Sequence, residues 1–401
     1  MSINKSHHMK NLRNISIYLS SQFLLGASAF SFTTIQSSIA LRNRSVLPES
    51  NNPGLNSGIS SSFHPLYTNT NPNPAAIYHI NSRLHMSSSE VSSHLDGKSF
   101  LSVNECIEAE KGDSNIRFVD GSWHLKDRDG RSEYEAGPRI KNAKFFDIND
   151  IATNEEELNP KSLPHMCPSP KLFSACMDSL DISNTNRVII YGSKGCFATP
   201  RTWYTFKAMG HDPTKLHLMQ GSFEEWEQKG GSIEDGPAKQ SIRATDLDMS
   251  KISTYQTTYP SENQFCDMKK VSQAITEDSA SSIVIDARSL ARFKAEAPEP
   301  RPNLRLGHMP GAFNLPFNSL LEMDTESDPT KFKSVTEMRA IFQSAGVDVD
   351  SDKTIICSCG SGVTASTIAT ALEACGRDPK NTLVYDGSWA DWGSDSDTLI
   401  E

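Results

Sequence analysis

Residues 355–366 read IICSCGSGVTAS: an apolar run stops at Cys359, passes Gly360 and Gly362, and resumes at small helix-forming residues. In an open parallel α/β sheet, ligands bind beyond the carboxyl ends of the strands, where the helices begin. A glycine-containing loop at that place curls so that successive N–H groups point inward, and the helix N-terminus adds positive potential. A thiol held there is expected to react as its thiolate, which makes Cys359 a candidate nucleophile. Cys357 lies one residue away. The two thiols are expected on opposite sides of the sheet, so that at most one of them serves the strand's end. Cys357, Cys106 and Cys375 read as small buried hydrophobes.

A cysteine followed by small residues and a helix also fits a cysteine phosphatase, whose loop needs an arginine to grip phosphoryl oxygens in a two-pronged bond. The position that would carry it is Ala365, so phosphoryl chemistry is disfavoured. The eight cysteines are too few and too irregular for a disulfide framework, and no CxxC pair suggests zinc. No metal and no organic cofactor is expected.

Self-comparison shows what must position Cys359. The stretch 188–226 aligns without a gap on 354–392, pairing Gly210 with Gly376, Asp212 with Asp378, Pro213 with Pro379 and Trp226 with Trp392. At the same offset IRFVDGS (116–122) falls on SIVIDAR (282–288). Two copies of one domain are therefore expected, at 100–230 and 266–398, joined by a polar linker at 231–265. Short β-branched runs such as TIIC and TLVYD end at Gly, Asp or Ser, as buried parallel strands do. After Cys359, residues Ile368, Ala371, Leu372 and Cys375 keep helical spacing, and Gly376 supplies a stop. The fold class is α/β: two open parallel sheets, each flanked by helices.

A net charge of −10 with 22 % charged residues lacks the basic surplus of a nucleic-acid binder. Residues 1–85 differ from the rest, carrying six Lys or Arg against the single acid Glu49. A Ser- and Asn-rich, acid-poor segment of this kind reads as a disordered targeting leader over 1–95. Its apolar run at 15–32 is too interrupted to span a membrane. The ASAF at 27–30 suggests a plastid presequence; a mitochondrial presequence and an unaddressed tail are the alternatives.

CGSGVTA (359–365) together with DGSWADW (386–392) resembles the active domain of the two-domain rhodanese family, and within it the 3-mercaptopyruvate sulfurtransferase type. VDGSW, AKFFDI and GCFATPRTWYTFKAMGH resemble the family's inactive first domain, in which Ser193 aligns with the cysteine and Cys196 lies nearby. Thiosulfate-using members carry an Arg-Lys pair after the cysteine. Here Gly360 and Ser361 stand there, which favours a donor with one carboxylate. The resemblance implies that Arg292 and Arg301 hold that carboxylate, and a planar guanidinium suits the task.

It further implies catalysis by Cys359 and Ser361, substrate binding by Gly360, Gly362, Val363 and Thr364, and loop N–H groups of residues 360–365 that stabilise anionic sulfur. His308 is expected to hold a turn. The expected reaction moves sulfur from 3-mercaptopyruvate through a Cys359 persulfide to a thiol such as thioredoxin, or to cyanide, in a monomer. A thiosulfate sulfurtransferase and a non-enzymatic persulfide carrier are the alternatives. In animal members the HIPGA motif of the first domain is taken to supply a relay histidine. Arg139 occupies that place, so either the relay is lost, or Ser361 works with water or a carboxylate such as Asp129, with Arg139 free to face the cleft.

Overall fold

The computed structural model describes residues 93–125, 127–239, 241–258, 264–322 and 331–401. The leader expected at 1–95 lies almost wholly outside them.

The first domain runs β1 (Phe100–Ser102), α1 (Val103–Gly112), β2 (Ile116–Asp120), α2 (Gly130–Ala136), β3 (Arg139–Ile140), β4 (Lys144–Phe145), α3 (Pro170–Ser179), β5 (Arg187–Tyr191), α4 (Thr199–Ala208), β6 (Leu216–Gln220), α5 (Phe223–Gln228) and β7 (Ile233–Glu234). The second runs β8 (Phe265–Cys266), α6 (Met268–Thr276), β9 (Ser282–Asp286), α7 (Leu290–Phe293), β10 (Phe313–Asn314), α8 (Val335–Ser344), β11 (Thr354–Ser358), α9 (Val363–Ala374), β12 (Thr382–Tyr385) and α10 (Ser388–Trp392).

The sheets have orders β1-β6-β5-β2-β4 and β8-β12-β11-β9-β10, the same path through both copies, and every pair within them is parallel. The β-branched runs supply the central strands: all five residues of β5 are buried, as are Ile355 to Ser358 of β11. Helices cover both faces, which is why these strands are apolar throughout rather than alternating. Helix ends follow the sequence as well. Ser102 and Ser334 form capping boxes with Glu105 and Glu337, and α9 ends just before Gly376 at φ +92°.

Described residues of the segment 231–265 pack against the first domain. Ile233 and Glu234 pair with β3, Ile242, Leu247 and Tyr255 are buried in the core, and Asp178 caps the backbone at Thr254 and Tyr255.

The two domains meet through α4 and α9, equivalent helices of the two copies. Lys207 on α4 pairs with Glu373 on α9, and these positions differ by the repeat offset of 166, so equivalent residues face each other about a pseudo-twofold axis. The shared core is asymmetric in size. Trp203, Tyr204 and Phe206 of α4 correspond to Ala369, Thr370 and Leu372 of α9, all buried. Bulky side chains on one helix meet smaller ones on the other across this buried interface. Tyr204 also donates from its hydroxyl to the carbonyl of Gln264, 2.9 Å away.

Candidate active site

Cys359 follows β11 directly, and Gly360, Ser361 and Gly362 lead into α9. Gly362 is the N-cap residue at φ +77°, a conformation that costs an L side chain about 1–2 kcal/mol. A Cβ there would also stand 2.7 Å from the carbonyl of Asp386 and 2.8 Å from Nη1 of Arg201.

The loop is held from outside by the DGSW motif. Ser388 Oγ accepts from the N–H groups of Cys359 (3.1 Å) and Gly362 (3.0 Å) and donates to the carbonyl of Tyr385 (2.8 Å). The N–H groups of Trp389 and Ala390 donate to the carbonyls of Cys359 and Gly360, each at 3.0 Å. One correction follows for the expected cradle: the Gly362 N–H is committed to Ser388, not to sulfur. Those of Gly360, Ser361, Val363, Thr364 and Ala365 have no protein acceptor among the described residues. Ser388 itself is fully buried. Its replacement by alanine orphans two buried N–H groups, each worth about 1–3 kcal/mol. Ser388→Ala is expected to lower the urea midpoint and to cut turnover together, and an unchanged midpoint would show that water replaces the hydroxyl.

Cys357 and Cys359 do not face opposite ways. Residues two apart on a strand share a face, and both pack in the same cluster. What separates them is depth along the strand. Cys357 lies inside the ladder opposite Ile285, where burial pushes its thiol far up, whereas Cys359 lies past the last ladder pair, Ser358 with Asp286.

Arg292 and Arg301 both reach the loop. A Cβ on Gly360 would stand 3.1 Å from Arg292 Nη2 and 3.7 Å from Arg301 Nη1, so the absence of a side chain at 360 is what lets both guanidinium groups lie against the backbone. Their partners differ. Arg292 is held by Glu299, which also pairs with the buried Arg288; Arg288 in turn grips Asp286 and stacks 4.1 Å from the Trp389 ring. Arg301 makes no ion pair among the described residues. Its Nη2 donates to Ser361 Oγ at 3.3 Å and lies 3.4 Å from Nε2 of His165. Burial lowers Arg301's ordinary value, the charge of the Cys359 sulfur opposes that, and Arg292 adds to it.

His165 comes from the first domain, from a segment other than the motif that carries Arg139, and sets an imidazole beside Arg301 and the loop. Arginine only donates, so in this contact Nε2 is the acceptor. Burial, then Arg201 and Arg301, push the imidazole down to about 3, which keeps it neutral through the physiological range. Arg139, by contrast, is buried away from the cleft between Glu234 and the carbonyls of Tyr134 and Gly236. Asp129 caps α2 through the Ser132 N–H. His308 stacks on Phe293 and bonds its carbonyl, tying α7 to the turn at 307–311.

Rhodanese-like domains match residues 115–229 and 267–395, which hold both sheets described above except the edge strands β1 and β8. The chain belongs to the rhodanese family. A mitochondrial thiosulfate/3-mercaptopyruvate sulfurtransferase of Arabidopsis thaliana is 31 % identical over 307 residues, covering 74 % of this rhodanese and 76 % of that protein. The 3-mercaptopyruvate sulfurtransferase of Escherichia coli K12 is 32 % identical over 292 residues, covering 72 % and 93 %. Among solved structures, Tum1 of Saccharomyces cerevisiae superposes with TM-score 0.61 at 26 % identity, covering 76 % of this chain and 98 % of that one. With curated relatives of this kind across both domains, this rhodanese is a sulfurtransferase.

The first rhodanese domain offers no cysteine at the place equivalent to Cys359. The N–H of Gly121 donates to Tyr191 O as that of Ala287 does to Ser358 O, and Phe223 donates to Gly192 O as Trp389 does to Cys359 O. The backbone therefore brings Gly192, not Ser193, to the place of Cys359. A Cβ there would meet Cys196 Sγ at 3.1 Å and Thr199 Cγ2 at 2.9 Å. Cys196 fills that space, fully buried, and burial pushes its thiol up to about 11. The one-residue shift runs through all of β5: Arg187 to Tyr191 pair with β2 as Thr354 to Ser358, 167 positions on, pair with β9, whereas the neighbouring strands keep the offset of 166.

Proposed function

We propose that this sulfurtransferase takes sulfur from 3-mercaptopyruvate. The observation that carries the reading is the pair of guanidinium groups set against Gly360, in a loop that has no cation of its own. Arg301, with Arg292 beside it, holds the donor carboxylate and brings the donor's sulfur to Cys359.

The thiolate attacks that sulfur, the carbon–sulfur bond breaks, and its electron pair leaves as the enolate of pyruvate. The proton from the donor thiol moves to the enolate carbon, with Ser361 and neutral His165 beside its path. Pyruvate departs, and a Cys359 persulfide anion remains among the N–H groups of Gly360, Ser361, Val363 and Thr364. A thiol acceptor such as thioredoxin, or cyanide, then takes the outer sulfur. The reaction needs no cofactor, and the chain works as a monomer. The mitochondrial relative favours a mitochondrial over a plastid address for the leader.

Specificity constants for 3-mercaptopyruvate and thiosulfate, measured with one acceptor, test the donor assignment. The expected ratio favours 3-mercaptopyruvate by at least about tenfold, the factor that 1.4 kcal/mol of differential transition-state binding supplies. A preference for thiosulfate would overturn it.

A further inference from the structure

We propose that Arg201, a side chain of the first domain, is a positioning residue that holds His165 and the Gly362 end of the catalytic loop in register. The proposal rests on the reading of Cys359 as sulfur carrier and assigns the first domain a part in turnover.

Arg201 lies in the first turn of α4 and is 1 % exposed. Its Nη2 donates to Asp386 Oδ1 (2.6 Å) and to the carbonyl of His165 (2.5 Å), and its Nη1 to the carbonyl of Gly362 (3.3 Å). The guanidinium packs 4.6 Å from the Phe265 ring centroid. The second oxygen of Asp386 accepts from the Cys167 N–H at 2.7 Å. One guanidinium–carboxylate pair thus ties 165–167, 362 and 386, which belong to both domains.

Each tied point lies next to the chemistry: His165 faces Arg301, Gly362 caps α9, and Asp386 is two residues before the Ser388 that holds the loop. Three acceptors in different directions suit a planar five-donor fork, whereas a lysine nitrogen reaches one or two. The repeat offers no reciprocal arm. The equivalent position on α9 is Thr367, whose buried hydroxyl has no hydrogen-bond partner among the described residues. Arg201 also acts on the imidazole by charge. The groups facing His165 are Arg201, Arg301 and the Trp123 ring edge, and without Arg201 one of two cations opposing protonation is gone.

The test uses the full chain with Arg201→Lys, Arg201→Gln and the double variant Arg201→Gln/Asp386→Asn, which removes both buried charges if the single change unfolds. Folding is followed by circular dichroism, and kcat and KM for 3-mercaptopyruvate are followed against pH. Folded variants are expected to lose at least about tenfold in kcat with a smaller rise in KM. The acid limb of the two Gln-bearing variants should move up from the parent's position, with burial still holding it below the ordinary histidine range of about 6.5, whereas Arg201→Lys, which keeps a cation, should move it less. A folded double variant with the parent's kcat and pH profile overturns the positioning role. Cys359→Ser in the same series keeps the two readings apart: full activity there sinks the carrier assignment, whereas an inert Cys359→Ser beside an unaffected Arg201 variant sinks the positioning role alone.

Discussion

Replacing Cys359 by serine is expected to lower kcat/KM for any sulfur donor by about a thousandfold or more while leaving the protein as stable as before. Removing the nucleophile of a covalent mechanism abolishes the intermediate rather than weakening it, because a serine hydroxyl at neutral pH neither ionises nor forms a stable sulfenyl product. The fold should not notice. The contacts that Cys359 makes to Ser388 and Trp389 use its backbone N–H and carbonyl, which serine retains. Mass spectrometry after incubation with donor should show the gain of one sulfur atom in the parent chain and none in the variant. Cys357→Ser is the matching control, since its thiol is buried in the ladder and its loss should cost stability and leave turnover. Full activity in Cys359→Ser would remove the mechanism altogether.

That contrast between two cysteines shows how much the sequence already contained. The nucleophile was legible because a strand, two glycines and a helix in that order can only place one side chain at the strand's end, and the repeat supplied the architecture around it. The arginines were legible through the family resemblance. His165 and Arg201 were not, because each acts on the second domain from the first, and no periodicity within either copy records a contact across an interface. One signal was present: Arg201 stands on an interior helix where the other copy has Thr367, and a charged residue replacing a small one at a buried repeat position asks for a partner. The reading of Arg139 as free to face the cleft fails for the opposite reason. Arg139 aligned with a motif, but its burial is explained by its own neighbours on β3 and β7. The first-domain loop is misread by one residue because hydrogen-bond register, unlike residue identity, is invisible to an ungapped comparison.

The two arginines should not prove equivalent. Arg292 already gives Nε and Nη2 to Glu299, which is itself fixed by the buried Arg288, so part of its charge is answered before any donor arrives. Among the described residues Arg301 has only Ser361 Oγ and His165 Nε2 as hydrogen-bond partners, both long contacts to neutral groups. A half-buried cation with no carboxylate partner gains most from an incoming one, and a charge-assisted contact of this kind contributes about 1.5–3 kcal/mol. Arg301→Gln is therefore expected to raise KM for 3-mercaptopyruvate by about 10- to 100-fold. Arg292→Gln should raise it less. Arg301→Lys should recover only part of the loss, because a single nitrogen restores the charge without the two-pronged geometry. The persulfide should still form at saturating donor in all three, since none of them touches the sulfur. An Arg292→Gln effect equal to or larger than that of Arg301→Gln would mean that Glu299 releases its arginine when the donor binds, and that the asymmetry belongs to the empty site alone.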